Sequence, residues 1–333
     1  MSHEYYRDVT VVSGSASMFS QNLTAYYSES KALTFAAMAN RSQVNIISWD
    51  SKLEGMTNTQ LPSRDPSAGS SSAAKHYTVL QVKYCFVNTK LSSVLVICTM
   101  GGVMIYNSDG STLFCWHPIK KDDNASLVYT KGIAYMDHYI AAGCSSGEVL
   151  VFSASDSGVK QKSILKEHKD SAILDVASEP ADQVACSCSR NGLIVCYEAA
   201  FATANKISTE LSISCCAVVR KHAIVGTLQG SVYMFQMKSG EMMVQIGAHA
   251  RQVTSLTADH ETATFLSTSE DSFVRLWRAR TRDTFEIELK FGESVSNAPL
   301  VGSAYVKDKA FVVSAFDHAN LFIFNTVGQA KKK

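Results

Sequence analysis

The chain carries almost no net charge: 31 Lys and Arg face 30 Asp and Glu, for a formal +1 over 333 residues. That near-cancellation argues against binding by broad phosphate neutralisation, so no nucleic-acid partner is expected. Proline is scarce at 5 residues and glycine stands at 18, too few for a collagen-like or low-complexity chain. No apolar run is long enough to span a bilayer; the most apolar stretch, SVLVICTMGGVMIY at 93–106, is interrupted by Gly101 and Gly102. The opening MSHEYYRDVTVV lacks a basic segment leading into an apolar one, so no signal peptide is expected. There is no C-x-x-C pair, no closely spaced histidine pair, no Walker-type loop and no G-x-G-x-x-G after a strand. Neither a metal nor a cofactor is expected.

What is present is core. Hydrophobic residues make up 46% of the chain. The nine cysteines, an odd number, sit mostly inside apolar runs and read as reduced thiols. Cys186 and Cys188 lie two apart on one strand and so share a face, which reads as a cysteine-rich core strand. The expected compartment is therefore the cytoplasm, with the nucleus left open.

An internal repeat organises the rest. Short apolar runs close on an aromatic that follows a turn position by five residues: Val44 to Trp49, Gly101 to Tyr106, Gly147 to Phe152 and Gly192 to Tyr197. Gly230 to Phe235, Ser272 to Trp277 and Ala319 to Phe324 continue the series. Successive aromatics are 57, 46, 45, 38, 42 and 47 residues apart. Each copy holds four runs of strand length, rich in β-branched and aromatic residues, with turn residues between them. That grammar at this period predicts an all-β, seven-bladed β-propeller. The expected blades cover about 20–61, 76–120, 125–167, 168–211, 212–248, 249–292 and 294–327. The last copy supplies only three strands, so the strand at 7–13 (RDVTVVS) is expected to complete it and close the ring. The Pro/Ser/Gly/Ala-rich stretch at 62–75 is expected to be a flexible loop, and 328–333 a solubilising tail.

The segment GAHARQVTSLTADHETATFLSTSEDSFVRLWR resembles a blade of the WD-repeat family, and Trp49–Asp50 resembles the dipeptide that gives the family its name. The resemblance implies an intracellular interaction protein without catalysis. It also implies a hydrogen-bonded structural set at His249, Ser267, Asp271 and Trp277, in which each polar group satisfies the next. His168, Ser187, Asn191 and Tyr197 stand at the matching positions of blade four, as a degraded copy.

Two function classes compete. The leading one is a scaffold presenting loops to other proteins or peptides. Seven residues back from each closing aromatic lie the expected exposed rim positions: Ser42, Thr99, Ser145, Arg190, Leu228, Glu270 and Asp317. Lys169, Asp170 and Arg251 are expected to approach the same rim, with Arg190 and Arg251 as anchors. An ordinary solvated rim is the bland alternative. The second class is a hydrolase-like enzyme or small-ligand binder using the central channel. It draws on GCSSG at 143–147, which fits a G-x-S-x-G elbow at Ser145 with Asp271 and His318 downstream, and on Asp175 of an innermost strand. The elbow needs a helix after the serine, and EVLVF reads as a strand. A further patch, Arg278, Arg280 and Arg282, falls on the opposite mouth. It reads most simply as a solvated hairpin turn, with an acidic partner or phosphate as the alternative.

Overall fold

The computed structural model describes residues 5–12, 14–53, 55–67, 75–119, 128–280, 285–295 and 297–326. These form seven four-stranded antiparallel sheets. Six are meanders of consecutive strands, over 24–62, 79–118, 130–165, 173–208, 213–247 and 253–294. The seventh takes its first three strands from 300–326 and its outermost from Tyr5–Val11, which pairs with Asn320–Thr326 from Tyr5↔Thr326 to Val11↔Asn320. The first strand of each sheet touches the first strands of its neighbours, and blade seven's touches blade one's. The ring is therefore closed, with the first strands innermost. The closing strand starts at Tyr5, two residues before the sequence pattern placed it, and Ser13 lies outside the described residues.

The period-2 pattern explains how the sheets hold together. Each strand presents alternate side chains to the two neighbouring blades, and seven apolar clusters result, one at each interface between blades. A sheet alone would leave both faces wet; a closed ring buries both at ~25 cal/mol per Å² of apolar surface. All nine cysteines are unpaired, and all but the partly buried Cys115 are buried. Burial pushes the thiols of Cys85, Cys144 and Cys196 up to about 12, so they stay protonated.

Two regular irregularities aim side chains. The innermost strand of every blade from two to seven slips register near its start, as between Val79 and Gln81 and between Ile173 and Asp175. A second slip falls at the closing aromatic of blades two to six, for example between Leu276 and Trp277. Such bulges turn one residue out of the pleat. The second strand of blade three leads through Ser145 into another strand, Val149–Ser155.

Pro62 ends a strand rather than opening a loop. Beyond it the backbone of Ser63 and Asp65 bonds Tyr77 and Lys75 (2.9 and 2.8 Å), and the Tyr77 hydroxyl donates to Asp65 (2.6 Å). The stretch at 68–74, the tail from 327 on, and Arg282 lie outside the described residues.

Candidate functional site

Because strands alternate in direction, the loop entering each innermost strand and the turn between second and third strands share one mouth of the ring. The two are tied by a backbone bond in each blade from two to seven. Its donors are Met100, Ser145, Arg190, Leu228, Glu270 and Phe316, and its acceptors are carbonyls such as Ala172 O for Arg190 N (2.9 Å) and Gln252 O for Glu270 N (3.1 Å). In blade one Arg41 N bonds Ser17 Oγ instead (2.7 Å). The turn glycines of blades three to five let neighbouring blades close up. A Cβ on Gly230 would lie 2.2 Å from His249 O, and at φ +88° no L side chain sits comfortably in any case.

Counting seven back from the aromatic finds these donors in blades three to six and misses in the other three. Thr99 is a correction: it is fully buried at a strand end, where its Oγ accepts from the Gly101 and Gly102 amides (3.0 Å each). The cause is turn length. Four residues separate the last strand pair in blade two (Cys98↔Val103), against five in blade four (Cys188↔Ile194). Blade one has a tight two-residue hairpin (Asn40↔Gln43), so Arg41 takes the rim position and half-buried Ser42 instead receives Ser63 N at its carbonyl (2.9 Å). Blade seven has a longer turn (Ser314↔Leu321), so Phe316 takes that position. Asp317 follows it, exposed, with its carboxylate held by Ser15 (3.2 Å).

Lys169, Asp170, Arg190 and Arg251 are exposed on this mouth, and Glu270 is half-exposed. Lys169 and Asp170 border a shallow hollow of about 480 Å³ over blade four, with His168 and Asn191 in its wall. Leu228 is 49% exposed, and Met18 and Phe316, which pattern reading missed, are 42% and 38% exposed. A variable turn length hides Phe316 from any fixed count, and Met18 lies outside the repeat.

The polar set of blade six is a directed chain. The Trp277 indole N–H donates to Ser267 Oγ (2.9 Å), Ser267 bonds His249 Nε2 (2.8 Å), and His249 Nδ1 faces both oxygens of Asp271 (3.1 Å each). Asp271 also accepts from the Ala250 and Phe273 amides (3.0 Å each). Burial raises the Asp271 carboxyl, but the His249 and amide bonds outweigh it and hold it well below the carboxylate range. Burial lowers His249, partly offset by Asp271, and leaves it neutral. In blade four Tyr197 bonds Ser187 (2.8 Å) and Ser187 bonds His168 Nε2 (2.6 Å). His168 Nδ1 meets Ser189 (2.7 Å), which donates to Asn191 (2.8 Å). Ser189, absent from the sequence expectation, is the extra link.

The channel is spanned by polar bonds near its rim end. Gln21, from the segment entering blade one, reaches across it and donates to Asp175 Oδ2 (2.9 Å) and toward the carbonyls of Cys216 and Leu256 (3.1 Å each). Asp175 takes further bonds from the Val176 and Cys216 amides (2.9 Å each) and from Gln81 (3.4 Å). Both its oxygens are thus doubly bonded, a buried structural node. Below it the channel is a pit of about 310 Å³. Among the described residues no group of three or more His, Cys, Asp or Glu could hold a metal, and no helix is long and apolar enough to cross a membrane.

A ring of seven four-stranded sheets, one of them pinned by a Trp–Ser–His–Asp chain, defines a WD-repeat β-propeller. A chain from the crystal structure of the mitotic checkpoint complex shares the fold, with TM-score 0.71 and 15% identity over 96% of this chain and 91% of its own. Residues 3–327 match the WDR54 family, and the chain belongs to that family. It is 27% identical to human WD repeat-containing protein 54, over 94% of this chain and 97% of the relative. The mouse protein of the same name is 29% identical over 75% and 79%.

Proposed function

We propose that this chain is a non-enzymatic scaffold that holds a protein or peptide partner on the mouth carrying Arg190 and Arg251. One observation carries the reading: exposed cations (Arg190, Arg251, Lys169) share a single rim with exposed apolar side chains (Leu228, Phe316, Met18). Neither arginine side chain has an ion pair or hydrogen bond among the described residues. A rim that mixes free arginines with exposed apolar side chains has the composition of an interface, where arginine pairs with carboxylates or carbonyls and apolar groups are covered. The rigid ring beneath fixes the spacing of these groups at little entropic cost to the partner.

The test is capture of partners from cell extract followed by binding with the purified partner. The R190A/R251A double variant should lose the partner set by about tenfold or more in affinity, whereas K52A/K160A, remote from this mouth, should keep it. Unchanged capture by R190A/R251A would overturn the assignment.

A further inference from the structure

The opposite mouth carries a second surface of different make-up. A groove of about 640 Å³ runs along the lower edges of blades five, six and seven. Blade five gives it Arg220, blade six Arg278 and Leu289, and blade seven Tyr5, Tyr305 and Lys309. Four cations, counting Lys290, face two carboxylates there, Glu261 and Glu288. Glu288 is already taken by Arg280 (3.2 Å) and Lys290 (2.8 Å). Arg220, Arg278 and Lys309 form no ion pair with any described residue. The arginine triplet of the sequence thus divides: Arg280 is paired, while Arg278 joins cations from two other blades.

Apolar surface accompanies the charge. Leu289 is 51% exposed, and the half-buried Tyr5 ring packs on Phe291 and Phe311 (5.1 and 5.2 Å). Glu286–Ser294, at nine residues the longest strand among the described residues, forms the outer edge of blade six, with no neighbouring strand beyond it among those residues.

We propose that this groove binds an extended acidic segment of a partner protein. Its carboxylates meet Arg278 and the flanking Arg220 and Lys309, and an apolar side chain lies over Leu289 and Tyr5. Guanidinium forks match carboxylates in two parallel hydrogen bonds, and Arg220, Arg278 and Lys309 break no close ion pair with a described residue to make them, although Arg278 stands across from Glu288. Exposed Leu289 and the half-buried Tyr5 set the apolar requirement, which a polynucleotide backbone lacks. The surface is separate from the rim of Arg190 and Arg251, so either site stands if the other fails.

A fluorescein-labelled EDLEELDE peptide, followed by anisotropy at low salt, should bind saturably, while KKLKKLKK should not. R220E/R278E should weaken EDLEELDE by about tenfold or more, the neutral R220Q/R278Q less, and K160E/K162E, on the outer strand of blade three, not at all. Matched melting curves establish that the variants fold. Absence of saturable binding, equal loss in K160E/K162E, or equally tight binding of a single-stranded oligonucleotide of the same charge would each overturn the proposal.

Discussion

Blades four and six solve one problem with different residues. Each must tie an entering loop to its second and third strands through a buried histidine, and in blade six the Arg275 guanidinium also lies against His249 Nδ1 (2.8 Å) and Asp271 (3.5 Å). Blade six ends its chain on a carboxylate that takes His249 directly, leaving Ser269 to donate to Arg251 O instead (3.1 Å). Blade four has an amide there, and Ser189, the counterpart of Ser269, turns inward to complete the path from His168 to Asn191. Direction of donors and acceptors is kept while residue identity is not. What is lost is charge: no carboxylate bonds His168, so burial dominates and lowers it to about 4, with Glu167 opposing and Lys206 adding to the effect.

The largest expected consequence is pH sensitivity seated in blade four. Above the ordinary histidine value both folded and unfolded chains hold His168 neutral, and its contribution is fully present. Between about 6.5 and about 4 the unfolded chain takes a proton that the folded one refuses, so stability falls with pH, by about 3 kcal/mol across the window. Asp271 behaves differently: its depressed carboxyl stabilises at all pH above the ordinary carboxylate range and loses that contribution only below it. Urea midpoints between pH 7 and pH 4 measure the histidine part alone, since the Asp271 contribution is nearly constant there. In H168N the decline should flatten; an unchanged decline would place the sensitivity elsewhere.

Next in size are the serines that join ring to ring. S267A strands the Trp277 indole and the His249 imidazole, and S187A strands Tyr197 and His168; each should cost about 2 kcal/mol, read from denaturation midpoints. A large cost in blade six with none in blade four would mean that the second chain is ornamental. Smaller still is the exchange of end groups. D271N should cost about 1–2 kcal/mol, because three donors lose a charged acceptor. N191D should change midpoints at neutral pH by less than about 0.5 kcal/mol, yet raise His168 and soften the acid decline, seen directly by titrating its ring resonances.

Much of the fold was legible because it depends on local pattern. A run ending in an aromatic, five residues after a turn position, repeats with each blade, and the missing fourth strand of the last copy pointed to a strand near the start. The rim was legible only where turn length is constant. Thr99 failed because a turn one residue shorter draws the counted position back into the strand. Gln21 left no signal, for it precedes the first strand of blade one, Thr24–Ser28, and its partners come from blades distant in sequence. Arg220, Arg278 and Lys309 likewise belong to separate blades, and only ring closure sets them around one groove.

Ring closure is thus the claim on which both surfaces rest, and amide hydrogen exchange tests it most directly. The alternate amides of 5–11 that point at 320–326, their partners in the last sheet, should be protected together with that strand. Rapid exchange at those amides while 320–326 stays protected would contradict it, leaving an open sheet edge where this account places the seam.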